Sequence, residues 1–191
     1  MASGSGPKRV WGSHEHKLDA KGRLSIPNRF RVALGLEEND VLVVTRDAAT
    51  KSLLVFWSDA WRRFEEKAEL LSAKREELAL QRILEGELEA PSEEEEAAED
   101  LMRQYHHEVK LDRLGRIQVP AMLRSFAGLK GGDPCRVLGK GGAISVWAHE
   151  EASEAHAESK FARQKGRVSF MLSPGALPAA AQSDVGGGSE E

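Results

Sequence analysis

The stretch that decides the fold is Leu18-Asp19-Ala20-Lys21-Gly22-Arg23-Leu24-Ser25-Ile26-Pro27, which returns as Leu111-Asp112-Arg113-Leu114-Gly115-Arg116-Ile117-Gln118-Val119-Pro120. The two stretches lie 93 residues apart, and aligning 14–36 with 107–129 without a gap gives 11 identities over 23 positions. An internal repeat of this kind indicates one structural unit used twice. The chain is therefore predicted to contain two copies of one module.

Each copy has the composition of a tight turn between two short strands. An aspartate at the first turn position and a glycine at the fourth suit a type I turn, in which the carboxylate accepts backbone amides. Polar and apolar residues alternate on both sides, as in half-buried strands. Pro27 ends the second strand, and together with Gly35 it brackets a short helix. The predicted turn-structuring residues are Asp19, Gly22, Asp112 and Gly115.

Charge is segregated along the chain, although the total is only −4. Residues 8–36 carry seven basic and two acidic side chains, a net charge of +5, and residues 105–129 carry +2. Residues 59–104 carry 15 acidic and seven basic side chains, a net charge of −8. A basic surface confined to the repeated turns can meet phosphate despite an acidic total.

The sequence resembles the MraZ family through His14-Glu15-His16, Leu18-Asp19, the Lys21–Pro27 run and the second Asp-x-x-x-Arg copy at 112–116. The resemblance covers approximately residues 12–57 and 101–148. It implies an α+β, β-rich fold of two tandem SpoVT–AbrB modules. Their swapped hairpins would interlock as an intrachain pseudo-dimer, with helices between and after the modules. One module of about 45 residues would bury too little surface to be stable alone.

The predicted organisation follows from the repeat and from shifts in composition. The segment between the modules is longer and more acidic than the pair of short helices usual in that family. Its apolar stripe of Trp61, Phe64 and Leu71 is predicted to be incompletely buried by its own chain. The predicted divisions are a disordered extension (1–11), module 1 (12–58), an acidic helical linker (59–104), module 2 (105–148), a C-terminal helix with a docking segment (149–172) and a disordered tail (173–191).

The resemblance also implies a function, a partner and an assembly. It implies a transcriptional regulator, not an enzyme, that binds the promoter of the division and cell-wall gene cluster through short direct repeats. It further implies a ring-like homo-oligomer. No cofactor is predicted. The protein would be cytoplasmic and associated with the nucleoid. The predicted contacts to double-stranded promoter DNA are Arg23, Lys21, Arg29, Lys17, Arg31 and Arg116.

The two copies are not equally suited to DNA. Lys21 is matched by Leu114 and Arg29 by Met122. Arg113, at the place of Ala20, returns one charge, but strand alternation predicts that it points to the other face. The first module is therefore predicted to carry most of the contact. For Arg23 a second reading stays open. Its guanidinium could pair with Asp19 inside the turn, which contributes little where such a pair is exposed.

Other classes of function have weaker support. No Walker A loop or Gly-x-Ser-x-Gly motif is present, and Cys135, the single cysteine, lies in an apolar strand. His14, His16 and His107 offer an alternative metal-binding site, since residues two apart on a strand share a face. A structural assembly protein is the remaining alternative.

No apolar run approaches the ~20 residues of a membrane span, and the N-terminus lacks the apolar stretch of a secretory signal.

Overall fold

The computed structural model describes residues 6–85 and 98–149. The elements repeat in order, as the sequence repeat predicts, with a long helix and a short helix between the copies. The bounds are β1 (Val10–Lys17), β2 (Arg23–Ser25), α1 (Asn28–Leu34), β3 (Val41–Arg46), β4 (Leu53–Trp57), α2 (Ser58–Leu84), α3 (Ala98–Gln104), β5 (His107–Lys110), β6 (Arg116–Gln118), α4 (Ala121–Phe126), β7 (Pro134–Gly141) and β8 (Ile144–Ala148). β1 begins at Val10, inside the segment predicted as a disordered extension.

The two copies exchange strands. Six strands form one antiparallel sheet in the order β1-β7-β8-β4-β3-β5. β1 of the first copy pairs with β7 of the second, and β5 of the second pairs with β3 of the first. If this strand order is read backwards and each strand is replaced by its counterpart in the other copy, the same order results. The two modules are therefore related by a pseudo-twofold axis. This arrangement confirms the predicted intrachain pseudo-dimer of swapped modules.

β2 and β6 form a separate two-stranded ribbon that crosses this axis. Leu24 pairs with Ile117, and these residues occupy the same place in the two copies. The ribbon is extended by two equivalent hydrogen bonds outside the strands, in which Ile26 N–H donates to Gly115 O at 2.9 Å and Val119 N–H donates to Gly22 O at 3.0 Å. Each repeated turn is thereby joined to the other copy.

The predicted local hairpin is only partly formed. The turn at 19–22 closes as expected, but the strands that flank it are joined by a single bridge between Leu18 and Leu24. β1 and β2 then take separate partners, β7 and β6, from the other copy. Alternation of polar and apolar residues specifies a strand and its buried face, but it does not specify the partner strand.

Both short helices begin after the predicted proline. Pro27 precedes α1, and the amides of Phe30 and Arg31 donate to its carbonyl at 2.9 and 3.0 Å. α1 ends at Gly35, which adopts the left-handed backbone (φ 64°) that glycine tolerates best. The bracketing prediction is confirmed.

One hydrophobic core serves both modules. Its fully buried side chains come from β2, α1, β3 and β4 of the first copy and from their counterparts in the second. Trp57 and Trp147, which close the two copies, are 5% and 1% exposed, so both are core residues. Sharing one core overcomes the limit on surface burial that a single small module would face.

The linker helix α2 is continuous over 27 residues. The stripe of Trp61, Phe64 and Leu71 is not left exposed as predicted, because Trp61 and Phe64 are 7% and 2% exposed and only Leu71 is half-buried. Their rings stack on each other at 5.0 Å, and the Phe56 ring lies 5.4 Å from Trp61. The β4 aromatic residue, which the sequence does not place beside the helix, covers the stripe. The large apolar side chains that α2 does expose are Leu70, Leu78, Leu80, Ile83 and Leu84.

Some predictions fall outside the described residues. The tail (173–191) lies there, as does the C-terminal helix and docking segment (149–172) apart from His149. Among the helices of 6–85 and 98–149, none is both long enough and apolar enough to span a bilayer.

Candidate nucleic-acid interface

The first repeated turn is built around the Asp19 carboxylate. Gly22 N–H donates to Asp19 O at 2.9 Å, which closes the turn. Asp19 Oδ1 accepts the backbone amides of Lys21 and Arg23, both at 2.9 Å. Gly22 has a φ of 77°, a backbone conformation in which a side chain would be strained. The second turn repeats these contacts with Asp112, as expected from the sequence.

The same carboxylates hold the arginine that ends each turn. Arg23 Nε lies 2.6 Å from Asp19 Oδ2, and the side chains are each 32% exposed. In the second copy, Arg116 Nε and Nη2 lie 2.8 and 2.7 Å from Asp112 Oδ2. The turn pairing that the sequence left open is therefore formed in both copies. It fixes the direction of each guanidinium while leaving part of the group accessible to solvent.

These hydrogen bonds change the acidity of the two aspartates. The Arg116 side chain, followed by backbone amides, lowers the pKa of Asp112 from 3.8 to about 2. Chiefly through the backbone amide of Arg23, the pKa of Asp19 is also lowered. Because the ionised form of each carboxylate is the one that accepts these bonds, each turn depends on a charged aspartate.

The predicted DNA contacts divide into exposed and half-buried groups. Arg23, Arg31 and Arg116 are half-buried, whereas Lys17, Lys21 and Arg29 are exposed. Lys17 ends β1, Lys21 lies in the turn, and Arg29 lies in the first turn of α1. We refer to Lys17, Lys21 and Arg29 as the exposed cations. Lys21 lies within the ordered turn, the other two lie on either side of it in sequence, and all three are accessible to solvent.

Arg31 and Arg124 have a role that the sequence reasoning missed. Each guanidinium lies against the turn glycine of the opposite copy, Arg31 over Gly115 and Arg124 over Gly22. Arg31 also donates through Nη2 to Asn28 Oδ1 at 3.1 Å. The signal was present in the repeat, since both arginines and both glycines are retained at the 93-residue offset. The structure thus places Arg31 against the second turn, and its contact with DNA stays a prediction.

The two turns differ in the chemistry of their surfaces. Leu114 and Met122 stand where the first copy has Lys21 and Arg29, and they are 58% and 53% exposed. At these two positions the same backbone frame presents cations in the first module and apolar side chains in the second, although Lys110 and Arg113 remain exposed cations beside and within the second turn. This difference agrees with a first module better suited to phosphate than the second.

The alternative histidine site is not assembled. His14 and His16 lie on β1, which is one edge strand of the six-stranded sheet, and His107 lies on β5, which is the other. The His14 ring meets the edge of Phe30 at 5.0 Å and lies 6.5 Å from His16. Burial, with a smaller contribution from His14, lowers the pKa of His16. Within 6–85 and 98–149, no group of three or more histidine, cysteine or carboxylate side chains is arranged to hold a metal.

Cys135 lies on the inner side of β7, opposite His16. It is 1% exposed, and burial raises the pKa of its thiol to about 11. The thiolate that a nucleophile would require is therefore disfavoured at neutral pH. This agrees with the interpretation of Cys135 as a small core residue.

Comparisons with known proteins agree with this architecture. The family described as "MraZ protein, putative antitoxin-like" matches residues 10–83 and 102–168, one segment for each copy. Relatives named Transcriptional regulator MraZ occur in three strains of Coxiella burnetii: Dugway 5J108-111, RSA 331 / Henzerling II, and RSA 493 / Nine Mile phase I. Each is 33% identical over 135 residues, which is 70% of this chain and 76% of the relative.

Proposed function

The chain belongs to the MraZ family, and we propose that it regulates transcription by binding double-stranded DNA in a sequence-specific manner. The observation that carries this proposal is the concentration of exposed positive charge at one ordered turn. Lys21 lies in the turn, and Lys17 and Arg29 lie close to it in sequence, whereas two of the three equivalent positions of the second copy are apolar.

The electrostatics of the turn support phosphate binding. The Asp19 carboxylate is engaged by two backbone amides and by Arg23, which reduces its opposition to an approaching phosphate. Lys21 supplies a compact charge, and Arg29 supplies a planar fork suited to phosphate or to the O6/N7 edge of guanine. Phosphate contacts would position the chain, and the arginines would read sequence.

We further propose a target and an assembly, both following from the family resemblance. The target is the promoter of the division and cell-wall gene cluster, read through short direct repeats by a cytoplasmic, nucleoid-associated protein. The assembly is a ring of identical chains, which would present several first-module turns to those repeats. Exposed apolar side chains near the end of α2 support a contact between chains, because such surfaces often mark interfaces.

The experiment that tests the proposal is a footprint of the full chain on the region upstream of its own gene. We expect protection of short repeated elements. Protection that spreads evenly over unrelated DNA would support non-specific binding and would contradict a sequence-specific regulator. No protection at any accessible protein concentration would contradict DNA binding itself.

A further inference from the structure

The first turn is held in place by a side chain from the second module. Gln118, at the end of β6, donates through Nε2 to Lys21 O at 2.9 Å. The same Nε2 lies 3.4 Å from Gly22 O, which also accepts the backbone amide of Val119 at 3.0 Å. The carbonyl groups at the tip of the first turn are therefore fixed from across the pseudo-twofold axis.

Arg124 closes this contact from α4. Its Nε donates to Val119 O at 3.2 Å, and its guanidinium lies so close to Gly22 that an added methyl group would come within 2.6 Å of Cζ. The backbone of the first turn is thus enclosed by Gln118, Val119 and Arg124, all from module 2. Lys21 and Arg23 extend from this enclosed backbone.

The second turn has the equivalent backbone bond and an arginine over its glycine, but it lacks the glutamine, and within 6–85 and 98–149 the Nε of Arg31 has no hydrogen-bond partner such as Val119 O provides for Arg124. Ile26 N–H donates to Gly115 O at 2.9 Å, and Arg31 lies over Gly115. Ser25 takes the place of Gln118. In the part of the chain that the structure describes, no side-chain hydrogen bond from Ser25 to the second turn is found. The extra bond therefore falls on the turn that carries Lys21.

We propose that Gln118 is a positioning residue for DNA binding, an inference that rests on the proposed function. The second module has apolar residues in place of two of the exposed cations, and it contributes instead by fixing the carbonyl of Lys21. A turn held in one conformation presents Lys21 and Arg23 without an ordering cost at the moment of binding. Gln118 is uncharged, so it releases no counterions and should not affect the dependence of affinity on salt.

The test uses Gln118→Met in the full chain, which keeps the length of the side chain and removes its donor. We expect affinity for the upstream duplex to fall about three- to tenfold, the value of one hydrogen bond. The dependence of affinity on salt should keep its slope, because no phosphate contact is lost. In the free protein, ¹⁵N relaxation should show greater mobility of the amides of Lys21 and Gly22. Gln118→Ser, which installs the residue that the first copy has at this position, should have the same effects on affinity and mobility as Gln118→Met.

Ser25→Met is the matched control, and it should change neither affinity nor the mobility of the first turn. Unchanged affinity in the Gln118 variants would overturn the inference. So would weaker binding with an unaltered turn in the free protein, since Gln118 would then touch DNA directly.

Failure of the inference can be told apart from failure of the proposed function. If Lys21→Leu with Arg29→Met weakens binding and Gln118→Met does not, only the positioning role is wrong. If none of these variants affects binding, DNA binding through the first turn is wrong as well.

Discussion

A single carboxylate organises each repeated turn and aims the arginine that follows it. Asp19 accepts two backbone amides through one oxygen and Arg23 through the other. The turn therefore needs an aspartate, whose side chain is short enough to reach amides two and four residues ahead. Arg23 keeps about a third of its side chain exposed, so the ion pair orients the guanidinium without hiding it.

The equivalent pairs in the two copies separate structural from functional roles. Arg23→Ala and Arg116→Ala each remove one partly exposed ion pair, so both variants should lose a similar, small amount of stability. Only Arg23→Ala also removes a proposed DNA contact of the first module, and the affinity of this variant for DNA should fall about tenfold or more. Thermal melting and gel-shift titration measure the two effects. Equal losses of affinity would contradict the proposed division of labour between the modules.

The acidity of Asp112 predicts a dependence of stability on pH. Its folded-state pKa of about 2 lies below the usual 3.8, so it stabilises the fold at pH values above 3.8. That contribution is lost as the pH falls toward about 2. In Asp112→Asn, the free energy of unfolding should decrease less over this interval than in the wild type. Parallel urea titrations between these pH values measure it, and identical pH profiles would show that the pair does not affect folding.

At the level of strands, the repeat predicted two related modules but not which strands pair between them. Residues that alternate along the turn flanks identified the strands, and the prolines and glycines gave the helix bounds. The exchange of β1 and β5 followed from the family resemblance, since a pairing between residues so far apart leaves no local pattern. The burial of Trp61 against Phe56 was missed for the same reason, because helix periodicity shows a stripe and not what covers it.

The sequence also predicted only the local part of the candidate site. The turn residues Asp19 and Gly22 could be assigned because their chemistry acts within five residues. Arg31 was expected to face DNA on charge alone, whereas its guanidinium lies over a glycine 84 positions along the chain. Gln118 gave no signal, since its hydrogen bond to Lys21 requires the modules to be already joined.

The β2–β6 ribbon provides a test of the pseudo-twofold axis. Leu24 and Ile117 pair directly and are fully buried, so replacing either with alanine should cost roughly 2–5 kcal/mol. Because the two positions are neighbours, the stability lost in the double variant should differ from the sum of the two single losses by roughly 0.5–3 kcal/mol. Urea denaturation of the four proteins completes the cycle. Strictly additive costs would contradict packing of these residues against each other.

The whole molecule combines an acidic total charge with a basic turn. Residues 59–104 hold a net charge of −8, while residues 8–36 hold +5. An acidic linker disfavours binding of DNA elsewhere on the surface and leaves the first module as the attractive region. One small basic region is expected to bind DNA weakly, so the proposed selectivity for a promoter would require several copies acting together. A ring meets this need, because each further contact then forms at a high effective concentration.

Light scattering at micromolar concentration tests this assembly. We expect a mass several times the 21.0 kDa of one chain, with affinity that rises with the number of direct repeats in the duplex. A mass of 21.0 kDa together with undiminished affinity for multi-repeat DNA would rule out the ring mechanism.

The most direct test of DNA binding through the first turn is the salt dependence of affinity. For neutralisation of about five phosphates, log K should fall against log salt with a slope near −4 to −5. Replacing Lys21 with Leu and Arg29 with Met, the residues of the second copy, should make the slope shallower by about 2. The matched control is the double variant Leu114→Lys with Met122→Arg. It leaves the first turn unchanged and should not make the slope shallower. A wild-type affinity indifferent to salt, or an unaltered slope in the Lys21 and Arg29 variant, would contradict binding through this turn.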